Sequence, residues 1–327
     1  MNDQVKNYGL DEAIAAVAAR GTISEIYFVA CGGSYALLQE GQYVVDREAK
    51  AIASYGYSSA EFLARAPVRL GKDSLVITCS HSGNTPETVA ATEYARKAGA
   101  LTISLTNLAD SPLDKATENT VFYEWDPLSV TSKHNSVMLL LLVFGILNKL
   151  EGNSKFDQVS KAVPALHEKG EALKAKYAAA AAEFGESHKR EPVIYTMASG
   201  SNHSTAYAFA ICLLQEMQWV HSACIHSGEY FHGPFEITDF DTPIIILKGL
   251  GNARKMDERA LAFAEKYSKR LSVLDAADFG LEALAGEAAE YLTPIMFNLV
   301  LRLYAVELGD RRGHPLTVRR YMWRMEY

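Results

Sequence analysis

The chain has 327 residues, 49% hydrophobic and 22% charged, which is enough apolar material for one large domain or two ordinary ones. A formal net charge of −7 excludes a basic nucleic-acid-binding surface, and four cysteines (Cys31, Cys79, Cys212, Cys224) without a CxxC pair point to reduced, buried thiols rather than disulfides. The N-terminal stretch MNDQVKNYGLDEAI lacks a signal-peptide pattern, and the most apolar run, Val137 to Leu147, is too short to cross a bilayer. A cytoplasmic protein with no membrane segment is expected.

Short β-branched or aromatic runs alternate with helical patterns through the first half. EIYFVA (25–30), AIASYG (51–56), SLVITC (74–79), LTISLT (101–106) and TVFYEW (120–125) read as strands, with an amphipathic helix over 86–100 and a buried helix over 137–147. Strands separated by helices predict right-handed βαβ units and a parallel sheet, hence an α/β fold. Residues 155–189 are rich in Ala, Glu and Lys and predict a long surface helix acting as a connector. Beyond it, EPVIYTMASGS (191–201) repeats the sense of SEIYFVACGGS (24–34), and residues 242–276 parallel 73–107. The chain therefore reads as a weak internal duplication of one α/β unit. In the second copy the serine-rich turn has become KGLGNA, so the copies are not functionally equal.

That turn, CSHSGNTPET (79–88), directly follows a buried strand. In a parallel sheet, ligands bind beyond the carboxyl ends of the strands. Thr85 fits a helix N-cap and Pro86 the first helical position, so free amides and the positive end of a helix dipole meet there. Ser80, Ser82 and Thr85 add hydroxyl donors, and Gly83 lets the backbone come close. The combination suits a phosphate monoester, although the same residues would also serve as a plain capped helix start. It is not a nucleotide P-loop, because no Gly-Lys-Ser/Thr follows.

The other unusual segment is LLQEMQWVHSACIHSGEYFHGPFEI (213–237), which carries Glu216, His221, Cys224, His226, Glu229 and His232. No HExxH is present and the histidine intervals do not fit one helix face, so no metal site is expected. Packed, hydrogen-bonded side chains are one reading, above all for His221. Acid–base catalysis is the other. Glu216 lies in an apolar helical stretch whose burial would favour a proton acceptor, and His232 precedes a Gly-Pro turn that would present its imidazole.

SHSGNT preceded by CGGS (31–34) resembles the phosphosugar pocket of the sugar isomerase (SIS) domain family. The resemblance covers nearly the whole chain. It implies two tandem, flavodoxin-like SIS subdomains over 1–152 and 191–310, a connecting helix over 153–190 and a C-terminal tail over 311–327. It further implies substrate binding by Gly32, Gly33, Ser34, Ser80, His81, Ser82, Thr85 and Lys133. Glu216 would be the base that takes a proton from the sugar, and His232 would be the acid, reaching the pocket from the partner subunit. A homodimer with its active sites at the subunit interface follows, with no metal and no organic cofactor. Within the family, EMQWVHSACIHSGEYFHGPFEITD and the ending HPLTVRRYMWRMEY are similar to deglycases of phosphorylated Amadori compounds. The tail lysine of glucosamine-6-phosphate synthase is matched by Met322, and a second family lysine by Leu213.

The implied reaction is hydrolysis of a 6-phosphofructosyl amino acid to glucose 6-phosphate and a free amino acid. A phosphosugar aldose–ketose isomerase would share the first step. A phosphosugar-sensing regulator is a different class, but about 25 residues before the first strand leave no room there for a helix-turn-helix. Arg319, Arg320, Arg324 and Lys133 are candidates for the amino-acid carboxylate, or equally surface charges or, in the tail, subunit contacts.

Overall fold

The computed structural model describes residues 8–322 and 324–326. The chain divides into two compact units, the first running to Asp126 and resuming over Thr131–Pro164, the second formed by Pro127–Val130 and the chain from Ala165 onward.

The first unit contains α1 (Leu10–Arg20), β1 (Glu25–Ala30), α2 (Gly32–Glu48), β2 (Ala53–Ser58), α3 (Ser59–Arg65), β3 (Ser74–Cys79), α4 (Pro86–Lys97), β4 (Leu101–Thr106), α5 (Pro112–Ala116), β5 (Asn119–Phe122), α6 (Asn135–Glu151) and α7 (Lys155–Ala162). Its five strands are all parallel in the order β2-β1-β3-β4-β5. Every residue of β1, β3 and β4 is buried, as continuous apolar strands covered on both faces must be. The apolar run expected as a buried helix is the body of α6, which packs on α1 and α2. β2 lies two residues later than its apolar pattern suggested, because its ladder matches Glu25–Ala30 against Ala53–Ser58. β5 stops at Phe122 rather than Trp125.

The second unit contains α8 (Leu166–His188), β6 (Tyr195–Ala198), α9 (His203–Ala208), a π-helical segment (Phe209–Met217), β7 (Cys224–His226), β8 (Ile244–Lys248), α10 (Arg254–Tyr267), β9 (Leu271–Asp275), α11 (Glu282–Ala285) and α12 (Ala289–Arg312). Its four parallel strands run β7-β6-β8-β9. That order matches β2-β1-β3-β4, so the duplication read from the sequence is present in the topology. The 155–189 stretch departs from expectation. It breaks into α7 and α8, and α8 is not a surface connector. Its Leu173, Tyr177, Ala181 and Phe184 are buried, and it packs along α12. Alanines at helical spacing give little hydrophobic contrast, so the sequence hid which face was apolar. α12 is long and apolar enough to cross a membrane by length and composition, yet most of that surface is buried in the unit.

Candidate functional site

In each sheet the strand order reverses between the first and third strands, the position where doubly wound folds bind ligands. In the first unit Ala30 pairs with Cys79 at the ends of β1 and β3, so 31–34 and 80–85 leave the sheet side by side. α2 begins at Gly32, so Gly32, Gly33 and Ser34 form its first turn, and α4 begins at Pro86 just after the serine-rich turn. Two helix amino ends at one switch point offer free N–H groups and two positive dipole ends. Gly83 has φ 66°, and a Cβ there would collide with Ser111, so only glycine fits.

The hydroxyls are arranged unevenly. Ser80 is buried, and its Oγ lies 2.8 Å from Thr85 Oγ1. Thr85 thus occupies the N-cap position without capping through its side chain. Ser82 is exposed and accepts from Asn84 N–H at 3.3 Å. His81 also has an exposed face. Its Nδ1 is 3.2 Å from the Tyr123 hydroxyl, Trp125 meets its ring edge-on, and desolvation lowers its pKa. Burial pushes the Cys79 thiol up to about 11, with the Ser34 hydroxyl beside it, so Cys79 is an inert floor. Lys133 is not brought to this turn. Its ammonium sits 4.7 Å over the ring of Tyr8, a cation–π contact.

The second unit's corresponding crevice is occupied by a side chain of the protein. Ser199 follows β6, Ser227 follows β7 and Gly249 follows β8, and all three donate to the fully buried Asp257 of α10. The two hydroxyls reach Oδ1 at 2.7 and 2.6 Å, and the Gly249 amide reaches Oδ2 at 3.1 Å. Burial raises the Asp257 pKa, while the three hydrogen bonds pull it back toward the charged form. Gly251 has φ 72°, and a Cβ there would strike the Glu290 carboxylate. Two carboxylates therefore crowd the turn that replaces the serine-rich one.

Glu216 lies near the end of the π-helical segment, whose widened turn is rare and recurs at functional sites. Contrary to expectation it is neither deeply buried nor alone. Its side chain is 24% exposed, and Oε1 is 2.8 Å from Nε of the buried Arg319. Arg302 of α12 shares these surroundings, its pKa lowered by burial and then by Arg319, while Glu216 opposes the shift. Burial and the Glu216 charge push the nearby Cys212 thiol up to about 12. His232 ends a short 3-10 turn (Tyr230–His232) before Gly233 at φ 135°; it is exposed, and among the described residues its imidazole has no hydrogen-bond partner. His221, expected to be packed, is exposed too. His226 accepts from Gly228 N–H at 3.0 Å, and its ring lies tilted against that of His203 at 4.9 Å; burial lowers the His203 pKa to about 4.

Among the described residues no group of three or more His, Cys, Asp or Glu side chains could hold a metal ion. All four cysteines are unpaired. Sequence reasoning missed Asp257, Ser199, Ser227 and the Glu216–Arg319 pair. Asp257 reads there as an ordinary first-turn acid of an amphipathic helix, and nothing local links residues 199, 227 and 249.

Two tandem doubly wound modules, one with an anion-type crevice at its switch point, define the class of α/β protein. The SIS domain profile matches residues 23–144, from before β1 into α6. Fructosamine deglycase FrlB of Bacillus subtilis is 49% identical over 94% of this chain and 93% of its own. Fructoselysine 6-phosphate deglycase of Escherichia coli K12 is 29% identical over 95% and 89%. A crystallised Bacillus subtilis protein assigned as a phosphosugar isomerase superposes with a TM-score of 0.93 at 48% identity, covering 100% of both chains. The chain belongs to the SIS-domain family.

Proposed function

We propose that the protein is a deglycase that hydrolyses 6-phosphofructosyl amino acids to glucose 6-phosphate and the free amino acid. The observation that carries this reading is the crevice of the first unit, where two helix amino ends and a hydroxyl-rich turn form a cradle for a phosphate monoester. The names of the two deglycases similar to nearly the full chain support it. Gly32, Gly33, Ser34, Ser80, Ser82 and Thr85 hold the phosphate, and His81 lines the same turn. Lys133 is retained as a weaker substrate contact, since it would have to leave Tyr8.

Glu216 takes the C1 proton of the open-chain ketosamine as the C2 carbonyl oxygen takes up a proton from His232. The resulting enaminol is reprotonated at C2, its nitrogen lone pair forming the C1 imine. Water adds to that imine, and collapse of the carbinolamine releases the amine and the C1 aldehyde. Electrons and protons balance without an external oxidant. His232, exposed and without a hydrogen-bond partner among the described residues, supports its delivery to a partner subunit, so the working unit is a homodimer. Four unpaired cysteines support a reducing, cytoplasmic location.

Glu216→Gln tests the reading, because it keeps size but cannot accept a proton. Positioned general bases contribute about 10²–10⁴-fold, so kcat for glucose 6-phosphate release should fall at least that far with the fold intact. A native rate in that variant would remove the assignment. Isomerisation of fructose 6-phosphate with no amine released from phosphofructosyl amino acids would favour the aldose–ketose isomerase instead.

A further inference from the structure

We infer that Arg319, carried on the C-terminal tail, is the positioning residue for the Glu216 carboxylate; this rests on Glu216 being the base. The tail is fastened at three points along residues 216–219. Arg319 Nε lies 2.8 Å from Glu216 Oε1. Two residues on, Gln218 Nε2 donates to the His314 carbonyl at 2.7 Å. At the next residue, Trp219 holds the Arg320 guanidinium 4.3 Å over its ring and packs His314 against it at 4.4 Å.

The guanidinium is itself fixed. Arg319 is 8% exposed, and its Nη1 donates to the carbonyls of Leu316 at 2.7 Å and Val318 at 3.0 Å. The tail's own backbone therefore sets the direction in which Nε points. A carboxylate held in this way through Oε1 would use Oε2 to accept the proton. Trp219 pays a backbone cost to make this arrangement, with φ 54° in a bulky residue. Arg302 cannot substitute, because its Nη1 is directed at Met217 Sδ, 3.7 Å away. A reading in which Arg319 waits on the surface for a substrate carboxylate does not fit a guanidinium so enclosed.

The test is steady-state turnover of the 6-phosphofructosyl-lysine adduct by Arg319→Gln, Arg319→Lys, Glu216→Gln and the Arg319→Gln/Glu216→Gln double variant, with thermal unfolding as a folding control. A misplaced catalytic group costs about 10²-fold, so Arg319→Gln should lose that much kcat with KM within about twofold. Arg319→Lys should recover part of the loss. In the Glu216→Gln background the second substitution should do almost nothing, because residues acting as a unit are not additive. If Arg319→Gln does not fold, Arg319→Lys alone decides, since a native kcat there would show that fork geometry is not needed. Native kcat in Arg319→Gln beside an inactive Glu216→Gln overturns this inference alone, as does raised KM at unchanged kcat. Native turnover by Glu216→Gln overturns the underlying reading and this inference together.

Discussion

The two crevices are built on one topology and filled in opposite ways. In the first unit the turn after β3 places Ser80, Ser82 and Thr85 between two helix amino ends, with a glycine where any side chain would strike Ser111. In the second unit the turn after β8 closes on Asp257, which takes two serine hydroxyls and a backbone amide. A carboxylate and a phosphate both accept from hydroxyl and backbone amide donors. Once a copy supplies its own anion, its switch point becomes part of the core. On the proposed reading the first copy takes the ligand, while the second carries Glu216 and His232 on the segments after its first strand.

The largest effect that tests this difference is on stability. Asp257→Ala would strand the Ser227 hydroxyl and the Gly249 amide in the interior, while Ser199 keeps the Ala253 carbonyl at 3.1 Å; each buried unsatisfied group costs about 1–3 kcal/mol, so a loss of about 2–6 kcal/mol is expected. Ser82→Ala, at an exposed position, should shift the denaturant midpoint hardly at all. Equal shifts for the two variants would show that both crevices are structural.

Next comes a buried histidine beside the first crevice. His134 is 6% exposed, packs 5.0 Å from the Trp125 ring, and has its pKa lowered to about 4 by burial, Asp126 opposing. The unfolded chain binds the proton near 6.5, before the folded one does. Its contribution is therefore complete above pH 6.5 and is lost as pH falls from 6.5 through 4. At 1.36 kcal/mol per unit the loss is on the order of 3 kcal/mol. His134→Gln should remove that part of the pH dependence, measured as unfolding free energy between pH 7 and 4.

The third effect is on binding and belongs to the first crevice alone. Ser82→Ala should raise KM by the value of one hydrogen bond to a charged group, about 1.5–3 kcal/mol, or roughly ten- to more than a hundredfold. Ser199→Ala should leave KM alone and lower stability. A fructosyl amino acid lacking the phosphate should be a poor substrate for the native protein and should not distinguish it from Ser82→Ala. Equal turnover of phosphorylated and unphosphorylated forms would sink the phosphate assignment.

Much of this contrast was legible before any coordinates. Continuous apolar strands such as 25–30, 74–79 and 101–106 keep their exact limits, because full burial on both faces leaves a strong pattern. The serine-rich turn was visible since its donors lie within six residues. Asp257 was not, because its donors come from loops 58, 30 and 8 residues away in sequence. β7 is three residues long and lies among polar residues, too short for a period to register. The π-helical turn that carries Glu216 has the composition of an ordinary apolar helix, and its ion pair spans the distance from residue 216 to the tail.

The smallest effect is the most specific. Asp257→Asn keeps the size of the buried group, and serine hydroxyls can turn to accept from an amide, so its cost should be only about 1 kcal/mol. What it removes is a proton equilibrium. Burial raises the folded pKa of Asp257 above its ordinary 3.8, so here the folded state binds the proton more tightly than the unfolded chain. Stability from this group is then present below pH 3.8 and falls as pH rises through the folded value, opposite in sign to His134. The native protein should show that decline as pH rises above 3.8, and Asp257→Asn should not. Exchange protection of β6 and β8 amides, compared in the two proteins across that window, isolates the effect from the first unit. A decline of equal slope in Asp257→Asn would mean that another group titrates there, and that the second crevice is not closed by a charged anion.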